Sequence, residues 1–476
     1  MMKRVLFVLI LITIGVGANA QEAAKTLSLQ ECVNIALENN LRVKRGLYNL
    51  KGAQITLTQW KAAMLPSVNA NTNYNKNFGG GVNPITQQFT SSNFDNMGIN
   101  ANASLLLFNG WRIQNSIRQY SIEYKATNED LSKAKNDVIL NVVTLYTNVV
   151  FNKELYSNAD FQLKSSQEQL ERIKKQVQAG SLPKANELNQ EAQVATNEVN
   201  LINQENALNL SLLQLKQAMQ MPGSTNLDVA VPPIQLEDLV LDQTPEQIYG
   251  ISVQTMPEIR SANLRVQSAD YGLKAAKGNF YPTLSLNGSI SSSYTNTSKL
   301  YSLQDPPFSR GAQPIGETSS GELIYQYEPN LIPLDYSLGS QLQDKIFKGV
   351  GLNLRIPIFN NLQTRSAVQR AAISKETASI TKQETENTLR QSIETAYNDA
   401  IAASKTYAAT MKNVNAREEA YRMTKQRFEI GAANYVEYRI SENDLFQAKS
   451  DLARAKYNFI FRKKLLDFYQ GKSIEL

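Results

Sequence analysis

The chain has 476 residues, 42% hydrophobic and 19% charged, and a formal charge of +6 that falls to +4 without Lys3 and Arg4. So dilute a positive charge argues against nucleic acid as a partner. Histidine is absent and Cys32 is the only cysteine. An intramolecular disulfide is thereby excluded, and the commonest general base and metal ligand is missing. With no recognisable carboxylate or Ser/Lys constellation, neither an enzyme nor a cofactor is expected.

In chain order, residues 1–20 read as a secretory signal peptide. Lys3-Arg4 is the basic start, Val5 to Val16 the apolar run, and Ala18-Asn19-Ala20 the small-x-small cleavage site. No later stretch approaches ~20 apolar residues, so no transmembrane helix is expected. Ser28 to Leu37 then reads as a short helix, with Ser28 and Glu31 placed as a capping box.

The rest of the chain is written twice. Phe108 to Phe359 and Gly180 to Gly431 are both shifts of 251 residues, whereas Pro66 to Pro282 is a shift of 216. The difference, 35 residues, is an insertion between Pro282 and Phe359. The first copy spans 21–220, with a strand pair at 66–108 and a helical hairpin at 110–220. A proline-rich linker follows at 221–257. The second copy, 258–476, has its strand pair at 282–359 and its hairpin at 361–470. At the 216 shift Thr244 and Gln247 take the places of Ser28 and Glu31, and Ile248 falls opposite Cys32. Cys32 is therefore expected as a small buried apolar residue.

Each copy carries a helix of about 25 residues (42–64 and 258–280) ending at a residue pair before proline. The period then changes to two. Asn69, Asn71, Asn73, Asn100, Asn102 and Ser104 alternate with smaller or apolar residues in the first copy. In the second, Ser285, Asn287, Ser289, Asn353 and Arg355 alternate with Leu284, Leu286, Ile290, Val350, Leu352, Leu354, Ile356 and Ile358. Four strands are expected, each with one polar and one apolar face. The Gly/Asn/Ser/Thr-rich segments 75–97 and 295–349 read as long surface loops.

After each second strand comes a stretch of about 70 residues, 110–178 and 361–430, with no proline and no glycine beyond its first position. That is roughly 105 Å of helix at 1.5 Å per residue. Gly180 and Gly431 are expected as left-handed C-terminal residues, and helices of about 37 residues return from each turn. Four strands are too few to enclose a lumen, since about eight make the smallest barrels. An apolar sheet face left bare by helices that run away from it calls for lipid, and for strands pooled between subunits. A soluble sandwich joined to a coiled coil predicts the same alternation, so an elongated periplasmic or surface structural protein stays open as the alternative.

The order and spacing of these units, with Pro282, Pro357-Ile358-Phe359-Asn360 and Arg427-Phe428-Glu429-Ile430-Gly431, resemble the outer-membrane efflux protein (TolC) family. The resemblance implies a mainly helical homotrimer in the outer membrane of a Gram-negative bacterium. Its helices would form an α-barrel across the periplasm, and its strands a twelve-stranded transmembrane β-barrel. It further implies a passive export conduit, partnered by a periplasmic adaptor protein and an inner-membrane pump. Glu437 stands where the family commonly has an aperture aspartate. The matching residue of the first copy is Asn186, beside Glu187, a departure from a full acidic ring. The turns Gly180-Ser181-Leu182-Pro183 and Gly431-Ala432-Ala433-Asn434 are those expected to meet the adaptor. The polar strand residues named above would line the barrel lumen. Tyr74, Phe108, Trp111, Tyr281, Tyr294 and Phe359 near the strand ends suit a membrane interface.

Overall fold

A computed structural model describes residues 25–82, 89–91, 93–231 and 243–472. The expected signal peptide and the Pro232-Pro233 part of the linker lie outside the described residues. The chain divides into two compact units, Met1–Ile55 with Ser121–Ser268 and Lys375–Leu476, and Thr56–Tyr120 with Ala269–Ser374.

The element boundaries keep the two shifts of the sequence repeat. Helices α1 (Leu29–Asn39) and α2 (Leu41–Ala62) return 216 residues later as α5 (Pro245–Thr255) and α6 (Pro257–Lys277). The 67-residue α3 (Arg112–Gln178) and 35-residue α4 (Lys184–Ala218) return 251 residues later as α8 (Gln363–Glu429) and α9 (Tyr435–Tyr469), at identical lengths. Both capping boxes form, Ser28 with Glu31 and Thr244 with Gln247. Each satisfies two backbone N–H groups that the first helical turn leaves free.

The first unit holds two apolar cores built in the same register. One contains Cys32, Val43, Val138, Val142 and Leu215; the other places Ile248, Ile259, Leu389, Ile393 and Leu466 at the shifted positions. Cys32 is fully buried, and burial pushes its thiol up to about 12, so it packs as an apolar residue and is unreactive at neutral pH. The segment expected as a linker contributes structure here. Its strand β6 (Leu227–Val229) pairs in parallel with β1 (Lys25–Leu27), and α5 also falls within it. Tyr146 of α3 donates its hydroxyl to Ala230 O at 2.6 Å, and Lys153 pairs with Asp228 at 2.8 Å, fastening this ladder to the helix.

The second unit is built on an antiparallel sheet of order β10-β7-β5-β2, comprising β2 (Ser67–Asn77), β5 (Phe94–Phe108), β7 (Thr283–Thr295) and β10 (Phe347–Arg355). The apolar alternation expected to run on through Ile356 and Ile358 stops at Arg355, because Pro357 has no N–H for the ladder. Both segments expected as loops contain strands. One carries the short hairpin β3 (Gly80–Val82) and β4 (Phe89–Ser91). The other carries the long hairpin β8 (Lys299–Glu317) and β9 (Leu323–Asp335), followed by α7 (Leu338–Asp344). Prolines and register shifts after Leu303 and Arg310 break the period-two signal in that hairpin, which is why it reads as loop. Buried Gln341 pins α7 to the end of β7. Its amide donates to Thr295 O and Tyr336 O, and its Oε1 accepts from Thr295 N and Lys345 Nζ. Among the described residues no helix is long and apolar enough to cross a membrane.

Candidate channel wall and hairpin tips

Residues opposite one another in an antiparallel ladder share a face, so the register sorts the sheet directly. Asn69 lies opposite Asn102, which lies opposite Ser289; Asn71 opposite Asn100, then Ser291; Ser67 opposite Ser104, then Asn287. Ser285 faces Asn353, and Thr283 faces Arg355. All the strand residues expected to be polar-facing thus fall on one side, with Asn73 opposite Gly98 in the same row. They also bond to each other. Asn100 Oδ1 accepts from Asn102 Nδ2 at 3.1 Å and from Asn71 Nδ2 at 3.4 Å, and Ser104 donates to Asn287 at 2.9 Å.

The reverse face is apolar from the row of Leu284 to that of Gly288, beyond which Lys348 joins the row of Ile290 and Ala101, and Ser292 and Thr72 the row of Ile99. Val68 lies opposite Ala103, Gly288 and Val350 in turn, and Leu352 opposite Leu286, then Leu105. The Leu106-Leu107-Phe108 run would break this pattern, but a bulge there returns Phe108 to the row of Leu284 and Leu354. Val68, Val350, Leu352 and Leu354 are between 60% and 84% exposed. Among the described residues this part of the apolar sheet face is uncovered, and the outer strands β10 and β2 have no ladder partner on their far sides.

At the helical tips the two turns have one geometry. Gly180 and Gly431 sit at φ of 74° and 77°. The N–H of Gly180 bonds Val177 O and that of Ser181 bonds Gln176 O; Gly431 and Ala432 repeat this with Phe428 O and Arg427 O. These are Schellman closures, and they require the left-handed residue that glycine supplies. Leu182 and Ala433 are half-buried, and Ser181, Pro183, Ala432 and Asn434 are exposed.

Glu437 sits in the first turn of α9 and is engaged within its own chain. Its N–H donates to Asn434 Oδ1 at 2.9 Å, its Oε1 accepts from Asn434 Nδ2, and its Oε2 lies 3.7 Å from Arg427 Nη2. In the first copy Asn186 is half-buried, while Glu187 is buried and paired with Lys184 at 2.6 Å. The two copies therefore differ in chemistry at matched positions.

The tips hold a polar cluster that the sequence reading passed over. Tyr438 stacks on Phe428 at 5.0 Å and donates its hydroxyl to Glu442 Oε1 at 3.2 Å, and Tyr421 of α8 meets Tyr438 hydroxyl to hydroxyl at 3.2 Å. Tyr435 donates to Gln190 Oε1 and Arg439 to Gln193 Oε1, tying α9 to α4. Burial raises the Glu442 carboxyl above its ordinary value, opposed by Arg439, Tyr438, Lys425 and Arg172. The available signal was spacing, since Tyr435, Tyr438 and Glu442 lie three and four residues apart on one helix face. Among the described residues no cluster of His, Cys, Asp and Glu could hold a metal.

The outer membrane efflux protein family matches residues 32–219 and 249–461. The chain belongs to this family. It is 20% identical to the outer membrane protein TolC of Escherichia coli over 97% of this chain and 85% of that protein. It is equally 20% identical to the outer membrane efflux protein BepC of Brucella suis, over 92% of this chain and 84% of the relative. In fold it resembles the outer membrane protein VceC from Vibrio cholerae, with a TM-score of 0.72 and 14% identity across 94% of this chain and 97% of that one. The CmeC outer membrane channel of Campylobacter jejuni gives 0.72 and 17%, across 93% and 85%. As a member of the outer membrane efflux protein family, the chain is a transport protein of the outer membrane and not an enzyme.

Proposed function

We propose that three copies pool their sheets into one twelve-stranded barrel and act as the passive outer-membrane conduit of a tripartite export system. One observation carries this reading: a sheet with a hydrogen-bonded polar face, an apolar face uncovered over part of its length and two edges with no ladder partner among the described residues. Because the four strands alternate in direction, β10 of one copy and β2 of the next run antiparallel. Edge-to-edge joining thus continues the ladder and removes the edges. The polar rows then line a lumen and the apolar rows meet lipid.

In this reading the helical hairpins reach through the periplasm. The turns at 180–183 and 431–434 meet an adaptor protein, and an inner-membrane pump supplies the energy. Glu437 faces the pore at the aperture, with Asn186 in the alternating positions in place of an acidic ring. The copy boundaries at 21–220 and 258–476 mark one unit used twice, so that both hairpins reach the same depth. Residues 1–20 serve as the export signal.

The test is reconstitution. SDS-resistant trimers and conductance in planar bilayers are expected, whereas a detergent-free soluble monomer overturns the reading. Crosslinks from Ser181 and Ala432 to the adaptor examine the tips; contacts confined to the helix midpoints reject their role. For Glu437, replacement by Ala is expected to relieve block of single-channel current by divalent cations, and unchanged block removes it from the pore.

A further inference from the structure

Where β5 runs into α3 and α6 runs into β7, the second unit contains a cavity of about 390 Å³. Its walls include Trp111, Gln114, Arg118, Lys274, Lys277 and Tyr281, and no lining residue is acidic. The floor is two backbones in contact. A Cβ on Gly110 would lie 2.4 Å from Gly278 O, and one on Gly278 would lie 2.8 Å from Gly110 O. Three cationic residues, Arg118, Lys274 and Lys277, line the cavity. Lys274 pairs with Asp270 at 2.8 Å and lies 4.6 Å from the Tyr271 ring, which Arg118 also faces at 5.8 Å. Arg118 and Lys277 have no carboxylate partner among the described residues. No carboxylate lines the cavity, and Asp270 pairs with Lys274 from outside its walls.

The remaining wall is aromatic. Trp111 meets Tyr281 edge-on at 6.3 Å and Phe108 at 5.1 Å, and it is 57% exposed. Phe108 closes β5, and β7 begins two residues after Tyr281, so the apolar sheet face starts where the cations end.

We propose that this cavity binds the phosphate of an anionic phospholipid, in the leaflet on the helical side of the barrel; this rests on the sheet spanning the membrane. A guanidinium and two ammonium groups recognise a phosphodiester by charge-assisted hydrogen bonds, and the amides of Gln114 and Asn115 add donors. Trp111 and Tyr281 suit the boundary between headgroup and acyl chain, and basic pockets at this depth take lipid headgroups. A zwitterionic lipid brings its own cation and is disfavoured. Free phosphate gains nothing from the aromatic wall.

The chain has two tryptophans, so Trp60→Phe leaves Trp111 as sole reporter. The detergent-solubilised full chain with this change is titrated with dihexanoyl phosphatidylglycerol, dihexanoyl phosphatidylcholine and inorganic phosphate, following Trp111 emission. Phosphatidylglycerol is expected to bind at least tenfold more tightly than the other two. The Arg118→Gln/Lys277→Gln pair is expected to lose at least tenfold, and Arg118→Lys/Lys277→Arg to retain binding. If the double variant fails to fold, Lys277→Gln alone, at an exposed position, gives the same readout. Equal affinity for the two lipids, or no loss in the Gln variants, overturns the proposal. Inorganic phosphate binding as tightly as phosphatidylglycerol overturns the lipid assignment. Planar-bilayer conductance judges the channel reading separately, because the titration needs no bilayer.

Discussion

Tyr438 donates its hydroxyl to Glu442 one helical turn further on, at 3.2 Å, and both side chains are buried. Burial raises the Glu442 carboxyl, so the folded state holds its proton more tightly than the unfolded chain does. Stability from this group is therefore fullest at low pH. It falls as pH rises from the ordinary carboxylate range through the raised folded value. Glu442→Gln is expected to stabilise the protein at neutral pH and to flatten that dependence. Thermal unfolding followed by far-UV circular dichroism between about pH 4 and 8 measures both. A variant with the wild-type slope rules out Glu442 as its source.

The turn glycines separate two kinds of constraint. At Gly180 and Gly431 an added Cβ meets nothing within 4 Å, so alanine meets only the left-handed penalty, about 1–2 kcal/mol each. Gly110, at φ 64°, adds a direct clash with Gly278 O. Gly110→Ala is expected to cost several kcal/mol, well beyond the ~1–2 kcal/mol of the backbone term. Equal losses in chemical denaturation would contradict the close approach.

The two faces of β10 give opposite outcomes at adjacent positions. Leu352→Arg puts a charge on the apolar face and is expected to cost about 2–4 kcal/mol if lipid covers it, abolishing assembly in membranes. Asn353→Arg, on the polar face, is expected to leave the proposed trimers intact and shift permeation toward anions. Fractionation and reversal potentials distinguish them. Tolerance of Leu352→Arg with loss of assembly in Asn353→Arg would reverse the face assignment.

Tyr146 links α3 to the β1–β6 ladder through Ala230 O. Tyr146→Phe removes that hydrogen bond while keeping the ring, and a loss of about 1–3 kcal/mol is expected because the carbonyl stays partly buried. Hydrogen exchange at Leu27 and Val229 should speed up with it. Unchanged exchange would show that the ladder does not depend on this contact.

By itself the sequence determined what is local and periodic. The proline-free runs that become α3 and α8, the capping pairs Ser28/Glu31 and Thr244/Gln247, the turn glycines and the strand alternation all follow from backbone geometry over a few residues. The duplication carried that reading further, since the shift of 216 places Cys32 opposite Ile248 before any contact is seen. Only the tertiary structure decided what depends on distant partners. Whether 299–335 is loop or hairpin turns on a ladder interrupted by bulges and on Gln341 bonding across to Thr295. Whether Glu437 is free turns on Arg427, ten residues away across a turn. The meeting of Tyr421 with Tyr438 and the basic cavity at Arg118 and Lys277 are equally non-local, for each draws its members from separate helices. No period in the chain records that meeting, because burial and charge proximity are properties of the packed helices and not of the segments that supply them.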